Sequence, residues 1–95
     1  MTYPANTTLI TLSRPLKLNG EEVETIKMRE PTMFDKLLFE KNKGAALEKE
    51  VAMIAGLCSL NPGDLHQLPA YDYDQLTEAF NDFLLPPAER LNLSS

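Results

Sequence analysis

The side chains of this 95-residue chain that could do chemistry are few and far apart. Cys58 is the single cysteine and His66 the single histidine. A zinc site needs about four ligands of Cys, His or carboxylate type, and one His eight residues from one Cys is not such a set. Nucleophilic catalysis needs an activated nucleophile, a base, and a group that orients the base. Cys58 instead continues an apolar helical stripe, which reads as a buried, inert thiol. His66, beside the break at Pro69, reads as a solvent-facing loop residue. Carboxylate pairs occur at Glu21/Glu22, Glu48/Glu50 and Asp72/Asp74. They fall at turns or on polar helix faces, where a carboxylate keeps its ordinary pKa. Gly20, Gly44, Gly56 and Gly63 are isolated from one another, so they form no phosphate-cradling loop. The expectation is a protein that is not an enzyme, with no catalytic residue, no cofactor and no metal.

Composition narrows the class further. The net charge is −5, from 14 acidic and 9 basic residues. Proteins that bind nucleic acid gain most of their affinity from Lys and Arg on phosphates. Here the basic residues are scattered, and Lys41 to Lys43 stand where a helix C-terminus favours cations. No nucleic-acid partner is expected. A lone cysteine suits a reducing compartment, and Met1 to Thr8 is polar and contains Pro4, unlike a secretory signal. No apolar run approaches the ~20 residues that cross a bilayer, so no membrane partner is expected either. The hydrophobic fraction of 43% is that of a folded domain.

The elements follow from periodicity and punctuation. Residues 1–7 read as a flexible arm, residues 8–85 as one domain, and residues 86–95 as a flexible tail after Pro86-Pro87. Thr8 to Leu18 is rich in β-formers, Asn19-Gly20 is a two-residue hairpin signal, and Glu21 to Arg29 is the return strand. A two-residue turn sets Leu16 opposite Val23, yet Ile26 and Met28 then fall on the other face. Either the turn is longer or a bulge inserts one residue, and the bulge is the favoured reading.

The second half is helical. Thr32 caps a helix with Asp35 as its capping-box partner, Met33, Phe34, Leu37 and Leu38 form its apolar stripe, and Gly44 ends it. Ala45 to Ser59 is a second helix, striped by Leu47, Val51, Ile54 and Cys58. Pro62 to Leu68 holds a single helical turn. Asp72 caps a last helix striped by Tyr73, Leu76, Phe80, Phe83 and Leu84. The fold class is therefore α+β: an N-terminal β-hairpin with a bulge, packed on three helices and one short helical turn.

Some apolar side chains are left over. Phe39 falls roughly opposite the first helix's stripe at ~100° per residue, and stays open between core and interface. Met53, Leu57 and Leu60 make a second line on the second helix. That line either buries a central helix on two sides or, with Phe39, forms a partner-binding surface.

The run Leu16-x-Leu18-x-Gly20, then Val23-x-x-Ile26-x-Met28-Arg29-Glu30-Pro31-Thr32-x-x-Asp35, resembles small tail assembly chaperones of Mu-like phages. Ala52-x-Ile54-Ala55-x-Leu57-Cys58-x-Leu60-x-Pro62, Leu65-x-x-Leu68, and Asp72-Tyr73-x-x-Leu76-x-x-Ala79-x-x-Asp82-Phe83-Leu84 are similar to the later part of the same family. The resemblance covers about residues 8–85. It implies a non-structural protein of phage or prophage tail morphogenesis that acts in the host bacterial cytoplasm and is absent from the mature virion. Its implied partner is the tape measure protein, kept soluble until the tail tube polymerises. A frameshifted longer form would also reach the tail tube protein. Self-association stays open. The family carries no catalytic motif, and Arg29, Glu30, Pro31, Thr32 and Asp35 read as a structural strand-to-helix junction. The competing reading is a small acidic adaptor or antitoxin-like protein that forms a stoichiometric complex with one bacterial partner.

Overall fold

Asn19 and Gly20 both take positive φ, 51° and 85°, the conformation that a two-residue hairpin turn with native twist requires. They join β1 (Thr7–Leu18) to β2 (Glu21–Arg29) in an antiparallel pair. The structure, a computed structural model, describes residues 7–89. Residues 1–6 of the expected arm and 90–95 of the expected tail lie outside them. Thr7, placed in the arm by the sequence, pairs with Arg29 as the first residue of β1.

The conflict of parity is resolved within β1. Leu16 pairs with Val23, as the turn dictates, while Thr11 pairs with Thr25. Between these pairs β1 runs through four residues, Leu12 to Pro15, where β2 has only Glu24. The irregularity thus adds three residues rather than the one expected. Any odd number reverses parity, and Ile10, Leu12, Leu16, Ile26 and Met28 all end in the core.

A carboxylate from the far end of the chain holds the bulge. Asp72, fully buried, accepts the Ser13 backbone N–H and the Ser13 hydroxyl, each at 2.8 Å. Gln75 Nε2 donates to Asp72 and to the Thr11 carbonyl, both at 3.0 Å. A bulge leaves ladder groups unpaired, and buried unpaired groups are costly. Asp72 supplies the missing acceptor. Burial works to raise its pKa, but the Ser13 and Gln75 donors and the Arg14 charge hold it below the ordinary carboxylate value. Asp72 is therefore not the helix cap that its sequence position suggested, because the helix starts earlier, after Pro69.

The helices are α1 (Met33–Lys41), α2 (Ala46–Leu57), the four-residue α3 (Pro62–Leu65) and α4 (Ala70–Phe83), followed by a 3-10 turn at Pro87–Glu89. The first helix ends at Lys41 with Asn42 as its cap, before Gly44. The central element is α2, which packs against α1, α3, α4 and β2. Val51, Ile54, Ala55, Leu57 and Cys58 enter the core from it. Leu47, expected on the same stripe, lies in the first turn and stays exposed. Periodicity fixes a face, not how far the neighbouring elements extend along it.

The second helix closes on a Schellman motif. Ser59 takes φ 58°, its N–H donates to the Gly56 carbonyl at 3.2 Å, and the Leu60 N–H donates to the Ala55 carbonyl at 2.8 Å. Leu60 packs against the core in consequence. Tyr73 ties α4 to α2 by donating to Glu50 at 2.7 Å. Burial, and then the Glu50 carboxylate, push the Tyr73 pKa up.

Candidate partner-binding groove

The strand-to-helix junction sets the rotation of α1. Asp35 is buried, and Arg29 grips it with two hydrogen bonds, Nη1 to Oδ2 at 2.8 Å and Nη2 to Oδ1 at 2.7 Å. The same carboxylate accepts the Thr32 N–H at 2.8 Å and its hydroxyl at 3.0 Å. The Arg29 hydrogen bonds are the main cause of an Asp35 pKa drawn down to about 2. Such a bidentate, charge-assisted pair has a fixed geometry, so Asp35 has to face inward. Phe39, one turn on, turns inward with it. It is half-buried, and the Lys49 Nζ lies 4.6 Å from its ring centroid, a cation–π distance.

The consequence for the apolar stripe is a reversal. Met33, Phe34, Leu37 and Leu38 were expected to face the core, but they are 67%, 64%, 51% and 51% exposed. At ~100° per residue the stripe is centred roughly 150° from the Asp35/Phe39 line, and only one of the two can point inward. The sequence displayed both faces of the helix, and the ion pair selects between them.

A groove of about 500 Å³ lies between α1 and α4, and the exposed stripe reaches it at Met33. Met33, Phe39, Met53, Phe80, Phe83 and Leu84 form its apolar lining, with Pro31, Thr32, Lys36 and Glu40 at its edge. Leu84, expected on the inner stripe of α4, is its C-cap and is exposed. Of the four candidate partner-binding residues, Phe39 and Met53 therefore lie in the groove wall. The other two do not. Leu57 is 1% exposed and Leu60 closes the helix end, so both belong to the core, because α2 is covered by the hairpin on one side and α4 on another. Met33, Phe34, Leu37 and Leu38 were legible in the sequence as a stripe, but on the side expected to face the core, and they stand exposed instead.

Little else invites chemistry. Cys58 is buried, and burial pushes its thiol up to about 12, far from the thiolate that would react. Among the described residues there is no group of three or more His, Cys, Asp or Glu side chains that could hold a metal ion. No helix of the described residues is long and apolar enough to cross a membrane.

A family model described as phage tail assembly chaperone proteins, E, or 41 or 14, matches residues 9–85. Comparison with curated proteins and with solved structures finds no match.

Proposed function

This chain belongs to the phage tail assembly chaperone family, and from that premise we propose that it binds the tape measure protein and keeps it soluble until the tail tube polymerises. The observation that carries the reading is the outward-facing stripe of α1, Met33, Phe34, Leu37 and Leu38, beside the apolar groove that ends at Leu84. Exposed apolar surface of this kind marks interaction sites. A helix with a groove at its flank suits another amphipathic helix, which docks side chains at i, i+3, i+4 and i+7. Long helical segments of a tape measure protein awaiting the tube would present such faces. The role is binding, with no chemical step. It is exercised in the bacterial cytoplasm, and the chaperone leaves before the virion is complete. The net charge of −5 keeps a coated complex soluble through mutual repulsion.

Co-expression tests this directly. The tape measure protein encoded in the same tail gene cluster is expected in the soluble fraction with this chain and in the pellet without it. Equal solubility in both cases would overturn the proposal.

A further inference from the structure

A second cleft, of about 370 Å³, lies between α1 and α2. Ala52 and Gly56, one turn apart on α2, are among the residues lining it. A Cβ built at Gly56 would meet no atom within 4 Å, so this glycine is not needed for close approach of α1. The space above it is open. Leu38, Phe39 and Met53 provide apolar walls, while Lys41, from the last turn of α1, and Lys49, from α2, bring positive charge. Among the described residues neither lysine has a carboxylate within 4 Å. The carboxylate that does line the cleft, Asp35, is taken up by Arg29. A chain of net charge −5 thus places around one small apolar hollow two lysines with no ion-pair partner among the described residues, Lys49 resting over the Phe39 ring.

We infer that this cleft receives an acidic side chain, Asp or Glu, from the partner helix docked on α1. The inference rests on the docking role proposed above and adds the chemistry of the partner. Leu38 belongs both to the exposed stripe and to the cleft wall, so a helix lying along the stripe carries its neighbouring residues over Ala52 and Gly56. The apolar stripe by itself accepts any amphipathic helix. Two lysines beside it favour a helix with an acid next to its apolar anchors and reject one with a lysine there, since like charges brought together oppose binding. The small residues leave room for the side chain, and the apolar walls strengthen its attraction to the lysines by excluding water.

The test uses the full chain and overlapping peptides spanning the tape measure protein of the same gene cluster, with Kd read by fluorescence anisotropy. The tightest peptides are expected to carry Asp or Glu beside their apolar anchors. Gly56→Leu, which fills the cleft, and the double variant Lys41→Glu/Lys49→Glu should each weaken the tightest peptide by about tenfold. Replacing the peptide's acid with Lys should cost a similar factor and be restored by the double variant. Gly56→Leu keeps the fold, because leucine favours a helix over glycine and its Cβ meets nothing, and thermal melting verifies this. If Leu37→Ser abolishes binding while the cleft variants and the acid-to-Lys peptide stay within about twofold of wild type, the acidic pocket is wrong and the docking surface stands. If no peptide binds the wild-type chain, the docking proposal fails and this inference fails with it.

Discussion

Arg29 and Asp35 meet across the strand-to-helix junction in a two-pronged ion pair whose shorter contact is 2.7 Å, and that pair decides which face of α1 solvent sees. The Arg29 side chain is partly exposed and the Asp35 side chain is not. Removing the arginine therefore leaves a buried carboxylate with only its Thr32 donors. Arg29→Ala is expected to cost about 2 kcal/mol, the range for hydrogen bonds to charged groups, measured by urea denaturation.

The same pair gives the protein an acid-sensitive stability. The Asp35 pKa falls from 3.8 to about 2 on folding, so the folded state holds its proton less tightly than the unfolded chain. The contribution is present in full above about pH 4 and is lost as pH falls toward about 2, at most about 2 kcal/mol. Asp72, also lowered, acts in the same direction. Urea midpoints should therefore drop between pH 6 and pH 3 in the wild type. In Arg29→Ala the drop should be smaller, with the Asp72 part retained.

Asp72 and Ser13 lie 59 residues apart in sequence, and their contact holds the bulge of β1. Asp72→Ala strands the Ser13 N–H, the Ser13 hydroxyl and one bond of Gln75, and is expected to cost about 3 kcal/mol. Ser13→Ala removes the hydroxyl alone and should cost about 1 kcal/mol. A ratio near one between the two losses would mean that the backbone contact, and hence the latch on the bulge, contributes nothing.

What the sequence could and could not tell follows from how local each signal is. Asn19-Gly20 announced its turn because positive φ is a property of the two residues themselves. The mismatch between Leu16/Val23 and Ile26/Met28 announced a bulge, since parity is carried by the strands. The partner of the bulge was illegible, because Asp72 lies at a helix start, where a carboxylate is already explained as a cap. The stripe Met33/Phe34/Leu37/Leu38 was equally plain, yet a helical wheel has no inside. The inside was set by Asp35, which also looked sufficiently explained as a capping-box residue. For Asp72 a local role concealed a long-range one; for Asp35 the junction was legible, but not that its ion pair with Arg29 decides which face of α1 turns inward.

Ser59 carries the strain of ending α2. A non-glycine residue at φ 58° adopts the left-handed region at a cost of roughly 1 kcal/mol. Ser59→Gly removes that cost while the Schellman hydrogen bonds to Ala55 and Gly56 stay. Stabilisation of about 0.5 kcal/mol is expected after the added chain entropy of glycine is subtracted, visible as a rise in Tm. A fall in Tm would show that the serine side chain holds this helix end in place.

Two leucines of the same size end on opposite sides of the protein surface. Leu37 reads from the wheel as core and stands outside, whereas Leu57, left open between core and interface, is sealed. Met33→Ser/Leu37→Ser removes side chains that touch mainly water, so stability should stay within about 0.5 kcal/mol of wild type for each site. Recovery of the tape measure protein in co-purification should nevertheless be lost. Leu57→Ala opens a cavity in the core and should cost about 2–5 kcal/mol, lowering complex yield only in proportion to the unfolded fraction. Urea melts and pull-downs on the same two variants separate the effects. Were the double serine variant to unfold while Leu57→Ala folded normally and lost its partner, α1 would have to be turned by half a revolution, and the Arg29–Asp35 pair could not exist.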